Sequence, residues 1–304
     1  MSANGGKRAV VAALFANMGI AVAKFVAFIF TGASSMLAEA IHSAADSGNQ
    51  ALLLLGGKLS RREASDRHPF GYGRERYFWS FIVALVIFSI GATFAIYEGI
   101  SKIRHPHEID APIWAFSVLS LGIVLESFSF RLAIVESRLV KGTSSWYTFI
   151  RQSRTPELPV VLLEDLGALL GLVLALVALG IAVIWEAPVW DGIGTLSIGI
   201  VLATIAVALA AEMKSLLIGE GLTYRDNESV IRAVEKTAGV KRLIHIRTQY
   251  LGPEEVLVGL KVEFNEYLPL KELRTVIEEI EGNIKGVVPA AGPIYVEPGL
   301  STQE

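Results

Sequence analysis

The sequence predicts an α-helical membrane protein with six transmembrane helices, followed by a small α+β domain. Of its 304 residues, 52% are hydrophobic and 19% are charged, and the mean hydropathy is +0.50. Soluble domains carry about 25% charged residues, so this composition indicates a membrane protein. After about Met213 the pattern changes to mixed polar and apolar residues. We therefore predict a transmembrane domain over residues 1–213 and a carboxy-terminal domain over residues 214–304.

Crossing a bilayer as a helix takes about 20 apolar residues, and six stretches meet this requirement. They cover residues 8–30, 34–57, 77–101, 112–136, 158–185 and 190–213. The first stretch follows a basic start, is too long for the core of a signal peptide and precedes no small-residue cleavage site. We interpret it as a retained first helix.

Basic residues indicate which loops face the cytoplasm, because Lys and Arg accumulate on that side. They are concentrated after the second and fourth stretches, at Lys58, Arg61, Arg62, Arg67, Arg74 and Arg76 and at Arg138, Lys141, Arg151 and Arg154. The remaining loops carry few or none. This pattern predicts that both termini are cytoplasmic, in a bacterial inner membrane or an equivalent membrane.

Charge and cysteine content limit the partners. The net charge is -3 and the pI is near 6.0, so the chain lacks the basic field of a nucleic-acid-binding protein. There is no cysteine, so any metal ion must be held by His, Asp, Glu or backbone oxygens.

The carboxy-terminal segment predicts the order α-β-β-α-β. NESVIRAVEKTAG and LKELRTVIEEIEGNIKG are typical of helices, while RLIHIRTQYL, VLVGLKVEF and PIYVEPG are typical of strands. Such a domain packs two helices on one face of a small sheet, and an exposed face favours pairing with a second copy.

The second apolar stretch places ionisable residues on one helical stripe. Glu39, His42 and Asp46 are three and four residues apart, with Asn49 one turn further. At this spacing Cβ atoms lie about 5 to 6 Å apart, so an imidazole and a carboxylate reach one metal ion. The alternative is a helix contact in which His42 hydrogen-bonds a neighbour. Ionisable groups are costly in a bilayer, which favours the metal site.

The fifth apolar stretch carries adjacent carboxylates, Glu164 and Asp165, which point about 100° apart on a helix. Facing helices would combine His42, Asp46 and Asp165 as three ligands. A fourth ligand is expected from Glu164, Glu39, Asn17 or water. The alternative for the pair is an intramembrane hydrogen bond or an ion pair with Lys24, which is otherwise interpreted as a snorkelling or structural residue.

Together these motifs resemble the cation diffusion facilitator family. The resemblance rests on LAEAIHSAADSGNQ followed by DRHPFGYGRERYFW, on Asp191 at the start of the sixth stretch, and on the LLIGEG junction. It implies a homodimer with a metallochaperone-like carboxy-terminal domain that exchanges a divalent metal ion for protons by alternating access. It also implies His42, Asp46 and Asp165 as metal ligands.

The sequence departs from this family at three places. Zinc-transporting members usually carry His or Asp four residues before Asp165, where this chain has Val161; the site is one ligand short unless Glu164 or Glu39 supplies it. The fifth stretch is closest to a branch that reads Leu-Leu-Glu-Asp. In the second loop only His68 matches the loop metal site of some relatives, so we expect no strong second site there. In the carboxy-terminal domain, where some relatives hold a binuclear site with several histidines, this chain has only His245, with Lys261 and Tyr295 near positions where ligands would be expected. His245 is expected to be structural, and its domain to serve dimerisation.

The residues and the resemblance together predict an exporter of Zn²⁺ that takes protons in return. An imidazole with several oxygens also suits Fe²⁺ and Co²⁺, and additional carboxylates suit Mn²⁺, so these ions stay open. A membrane sensor or scaffold without flux is the alternative from another class. An embedded metalloenzyme is disfavoured because the sequence has no HExxH motif or comparable base.

Overall fold

A computed structural model describes residues 3–31, 34–106 and 112–300, except for the side chains of residues 3–9, 27, 28, 30, 31, 34–39, 41, 42 and 88–90. The chain forms two compact units. The first contains Met1–Leu59 and Glu75–Lys214, and the second contains Ser60–Arg74 and Ser215–Glu304. The loop after the second helix therefore belongs to the same unit as the carboxy-terminal segment.

The first unit is helical. Its elements are α1 (Ala3–Thr31), α2 (Ser34–Leu59), α3 (Glu75–Val86), a π-helical segment (Ile87–Ala92), α4 (Thr93–Arg104), α5 (Pro112–Lys141), α6 (Trp146–Gln152), α7 (Glu157–Ile184) and α8 (Val189–Ile218). The predicted span 77–101 thus consists of α3, the π-helical segment and α4. A π-helical turn inside a helix is rare and frequently lies at a functional site.

Three helices in the described part of the chain are long and apolar enough to cross a membrane. They are α5, α7 and α8, and α1 contains a shorter apolar segment, Val10–Val26. The helical class of the domain is confirmed. The count of six spans stays a prediction, because α2 carries polar residues along its length.

Apolar side chains around the start of α7 form the core of this unit. Leu158, Val160, Val161 and Leu162 are buried there, and Val10, Leu53, Val83, Ala133 and Leu209 complete the cluster from the surrounding helices. Because α7 packs on several helices at once, its polar residues are also directed into the protein.

Helices α4 and α8 approach each other at glycines. A Cβ atom on Gly199 would lie 2.6 Å from Ile96 Cγ1 and 2.8 Å from its backbone nitrogen, and one on Gly192 would lie 2.8 Å from the backbone nitrogen of Ile103. Small residues at helix interfaces in membrane proteins allow such close contact between backbones.

The second unit contains a three-stranded sheet covered by two helices. Its elements are α9 (Tyr224–Glu235), β1 (Val240–Gly252), β2 (Glu255–Phe264), α10 (Leu270–Val287) and β3 (Ala291–Pro298). β2 lies in the middle, antiparallel to β1 and parallel to β3. The predicted order α-β-β-α-β is confirmed.

Helix α9 differs from the predicted segment NESVIRAVEKTAG at both ends, and it finishes at Glu235, four residues before that segment does. Helix α9 begins three residues before the predicted segment because the Thr223 hydroxyl caps it and accepts a hydrogen bond from the Asp226 backbone N–H at 3.2 Å. The buried faces of α9 and α10 carry Val230, Val234, Ile280 and Ile284, which pack against apolar residues of the sheet.

Candidate metal centre

Helix α2 presents Asp46 and Asn49 to the interior of the first unit. Both side chains are buried. The backbone is helical from Ser34 to Leu59, so positions 42 and 46 lie on the same face of α2. The side chains of Glu39 and His42 lie outside the described residues.

Glu164 and Asp165 on α7 are directed toward different helices. Asn49 Nδ2 donates to Glu164 Oε1 at 2.7 Å, and Gln50 Nε2 donates to Glu164 Oε2 at 3.3 Å. Asp165 instead accepts a hydrogen bond from Ser129 Oγ on α5 at 2.9 Å. Neighbouring residues on a helix point about 100° apart, which accounts for this division. Glu164 is thereby joined to α2 and Asp165 to α5.

A cavity of about 260 Å³ lies between these helices. Its polar lining comes from Asp46, Asn49, Glu126 and Glu164. The remaining lining is apolar or small and is supplied by α2, α3, the π-helical segment, α5, α7 and α8, with Gly91, Gly167 and Gly171 among its residues. Asp165 is not part of the lining that the structure describes.

The cavity combines carboxylate oxygens with an amide, which are ligands suited to a divalent cation. Among the side chains that the structure describes, no three His, Asp or Glu groups stand close enough to hold one ion together. The described residues therefore provide part of a ligand set in this conformation, with two carboxylates, Asp46 and Glu164, contributed by facing helices.

The first unit matches a known family. The model for the cation efflux transmembrane domain matches residues 10–218, which is more than half of the chain. The chain belongs to the cation efflux family. This family consists of transporters, and the prediction that the chain is not an enzyme is confirmed.

Two relatives illustrate the range of this cation efflux family. The mitochondrial proton-coupled zinc antiporter SLC30A9 of Xenopus laevis is 33% identical over 266 residues, which are 84% of this chain and 47% of the antiporter. The cation-efflux pump FieF of Citrobacter koseri is 26% identical over 90% of this chain and 86% of the pump. The chain thus spans about half the length of the antiporter that it matches.

A solved structure resembles only a small part of the chain. A structure of MamM CTD is 15% identical, and the match covers 26% of this chain and 94% of that one with a TM-score of 0.24.

Three further positions of this cation efflux protein lie in different settings. Two are ligand candidates from the sequence, Asn17 and His68, and the third is Val161, where zinc-transporting members usually carry a ligand. Asn17 is buried on α1, where its amide donates to Gln50 Oε1 at 3.3 Å and accepts from Ser129 Oγ at 3.4 Å. It therefore connects the partners of Glu164 and Asp165. His68 lies in the second unit, in an exposed loop where its ring contacts Tyr72 at 4.6 Å between ring centroids. Val161 is buried in the apolar core.

Residues outside the predicted ligand set also belong to this region. Glu126 lines the cavity and forms an ion pair with Lys24, with 3.7 Å between Oε1 and Nζ. Gln50 and Ser129 hold the two carboxylates of α7. The signal in the sequence was the presence of Lys24 and Glu126, two ionisable groups, inside apolar stretches, since such groups are functional candidates by default.

His245 occupies the position expected for it. It lies on β1 directly opposite Lys261 on β2, while Tyr295 on β3 pairs with Gly259. A lysine beside the histidine provides no metal ligand in its charged form. The structural role of His245 stays a prediction.

Proposed function

We propose that this cation efflux protein exports a divalent metal ion, foremost Zn²⁺, in exchange for protons. The observation that carries the proposal is a cavity between helices to which α2 and α7 contribute one buried carboxylate each, Asp46 and Glu164. Carboxylates inside an apolar bundle are costly unless a cation or a proton compensates them. The zinc named for the SLC30A9 relative supports Zn²⁺ as the first ion to test.

The proposed ligands are His42 and Asp46 from α2 together with Glu164 and Asp165 from α7. Asp46 and Glu164 line the cavity and bind the ion there, whereas Asp165 must exchange its hydrogen bond with Ser129 before it binds. Glu39 and Asn17 are the alternative oxygen ligands for the metal ion. A neutral imidazole with two or three carboxylates suits Zn²⁺ and also Fe²⁺, Co²⁺ and Mn²⁺.

Metal ion and proton use the same atoms in this mechanism. The ion enters from the cytoplasm when His42 is neutral and the carboxylates are ionised. Rocking of the helices exposes the site to the other side, where protonation of His42 and a carboxylate competes with the metal and releases it. The protons then return inward.

The proposal includes a topology and an assembly. Six spans with both termini in the cytoplasm place the loops rich in Lys and Arg on the inner face, as the positive-inside rule requires. Residues 214–304 serve as a cytoplasmic domain that pairs two copies into a homodimer, and the membrane is a bacterial inner membrane or its equivalent.

Flux in proteoliposomes tests the function. The purified chain is reconstituted with a pH-sensitive dye inside, and Zn²⁺, Mn²⁺, Fe²⁺ or Co²⁺ is added outside in separate runs. We expect Zn²⁺ uptake accompanied by loss of protons from the lumen. Flux no greater than in protein-free liposomes for any ion would refute transport, and tight binding without flux would identify a sensor or scaffold.

A further inference from the structure

A buried ion pair lies beside the candidate metal centre. Lys24 on α1 is 1% exposed and Glu126 on α5 is 3% exposed, and their charged atoms are 3.7 Å apart. Lys24 Nζ also donates to Ser43 Oγ on α2 at 2.9 Å, which fixes the ammonium between three helices. Desolvating two charges is expensive, so such a pair is weak evidence for a role in stability.

Glu126 places one charge of this ion pair on the wall of the cavity. Glu126 lines the same cavity as Asp46 and Glu164, and Ser129, one turn further along α5, holds Asp165. Among the described side chains, four buried carboxylates therefore surround this part of the bundle, and Lys24 is the ammonium paired with one of them. Opposite charges at such separations interact strongly where water is excluded.

We propose that the Lys24–Glu126 ion pair limits the affinity of the metal centre, an inference that rests on the proposed function. Lys24 neutralises Glu126 and holds it back from the incoming ion, so that Glu126 determines affinity without acting as a ligand. An exporter must release its ion on the far side, and an additional uncompensated carboxylate on the cavity wall would retain it. Lys24 thus acts as an internal counter-cation: it changes the affinity for the metal ion by neutralising the charge of Glu126.

The experiment measures the Kd of Zn²⁺ by calorimetry on the full chain in detergent, at fixed pH and ionic strength. Lys24→Met keeps the length of the side chain, removes the charge and should tighten Zn²⁺ binding by about tenfold, because Glu126 then loses the ammonium that neutralises it. Glu126→Gln leaves the ammonium beside the cavity and should weaken binding by about tenfold. The double variant Lys24→Met/Glu126→Gln, in which both charges are absent, should bind within about threefold of the unmodified protein.

Two controls accompany these variants. Lys102→Met removes an ammonium that pairs with Asp191 at 2.8 Å on the partly exposed ends of α4 and α8, and it should leave the Kd unchanged. Lys24→Arg keeps the charge and should stay near the unmodified value. If Lys24→Met does not fold, the comparison of Glu126→Gln with the double variant carries the test, since removal of the ammonium should then restore affinity.

The results separate this inference from the function on which it rests. An unmodified protein that binds no Zn²⁺ would refute the proposed metal centre, and the inference with it. Normal Zn²⁺ binding that is equally unaffected by Lys24→Met and Glu126→Gln would identify a purely structural ion pair and overturn the inference alone. A shift of the Zn²⁺ Kd in the same direction for Lys24→Met and Glu126→Gln would also overturn the inference.

Discussion

The two carboxylates of α7 differ in what holds them. Glu164 receives hydrogen bonds from two amides of α2, and Asp165 receives one from the Ser129 hydroxyl of α5. Both are buried, with 8% and 2% of their surface exposed. Glu164 therefore lines the cavity, whereas Asp165 is held by Ser129 outside the lining that the structure describes.

At this scale we predict unequal effects of neutralising them. Glu164→Gln should weaken Zn²⁺ binding by at least about tenfold, because it removes a charge that faces the cavity. Asp165→Asn should weaken Zn²⁺ binding less, because Asp165 is held by Ser129 in the conformation described here. Both changes should abolish transport, because the proposed cycle uses both carboxylates as ligands. Calorimetry and proteoliposome flux measure the two properties separately.

A matched control is Glu136→Gln, which makes the same chemical change at a partly exposed position on α5 away from the cavity lining. It should alter neither property. Unchanged Zn²⁺ affinity in Glu164→Gln would remove Glu164 from the ligand set.

At the scale of elements, a buried ion pair joins the first turns of α3 and α7. Arg76 Nε donates to Glu157 Oε1 at 2.5 Å, and both residues are buried. Glu157 Oε2 has no hydrogen-bond partner among the described residues. The carboxylate therefore depends on Arg76, and removal of the guanidinium leaves a buried charge.

Arg76→Met should lower the free energy of unfolding by about 3 to 5 kcal/mol, as expected when one partner of a buried pair is lost. The double variant Arg76→Met/Glu157→Met should recover most of the loss, because it leaves no uncompensated charge. Thermal unfolding of the full chain in detergent checks both.

Arg274→Met is the control, since the Arg274–Glu278 pair is exposed and contributes about 0.5 kcal/mol or less. Equal effects of Arg76→Met and Arg274→Met would contradict the prediction.

The contact of α4 with α8 supports a second prediction at this scale. Gly199→Ala places a methyl group 2.8 Å from the backbone nitrogen of Ile96, so the helices must separate, at a cost of about 1 to 3 kcal/mol. Gly19→Ala on α1 is the control, because a Cβ atom there meets none of the described atoms within 4 Å. It should be neutral or stabilise the helix by about 0.5 to 1 kcal/mol. A melting temperature of Gly199→Ala equal to that of Gly19→Ala would show that the helices tolerate the added methyl group.

At the scale of the whole molecule, the two structural units do not coincide with the two domains predicted along the sequence. The loop Ser60–Arg74 belongs to the second unit, where a Cβ atom on Gly73 would lie 2.6 Å from the carbonyl oxygen of Leu251. Arg74 Nη2 also donates to the Tyr250 carbonyl oxygen at 3.5 Å. The β1–β2 hairpin and this loop therefore pack together.

Truncation after Lys214 tests the division of labour between the two units. We predict that it weakens dimerisation strongly and leaves the Zn²⁺ Kd within about threefold, because the described polar lining of the cavity comes from the first unit alone. Light scattering coupled to size exclusion measures the first property and calorimetry the second. A truncated chain that remains fully dimeric, or that loses Zn²⁺ binding while it stays folded, would contradict the prediction.

The sequence by itself determined which residues share a face or diverge within one regular helix or strand. Asp46 lies one turn beyond His42 on the same face of α2, and Glu164 diverges from Asp165, because a helix turns about 100° per residue wherever it is packed. The order α-β-β-α-β followed in the same way from alternation and helical spacing.

Only the tertiary structure decided which groups meet. The sequence did not indicate that Glu164 would face Asn49, that Asp165 would face Ser129, or that Lys24 would pair with Glu126 instead of the α7 carboxylates. Nor did it place loop 60–74 with the carboxy-terminal segment. The physical reason is that these contacts join residues from 36 to more than 100 positions apart, and they depend on how several helices pack together rather than on the turn of any one of them.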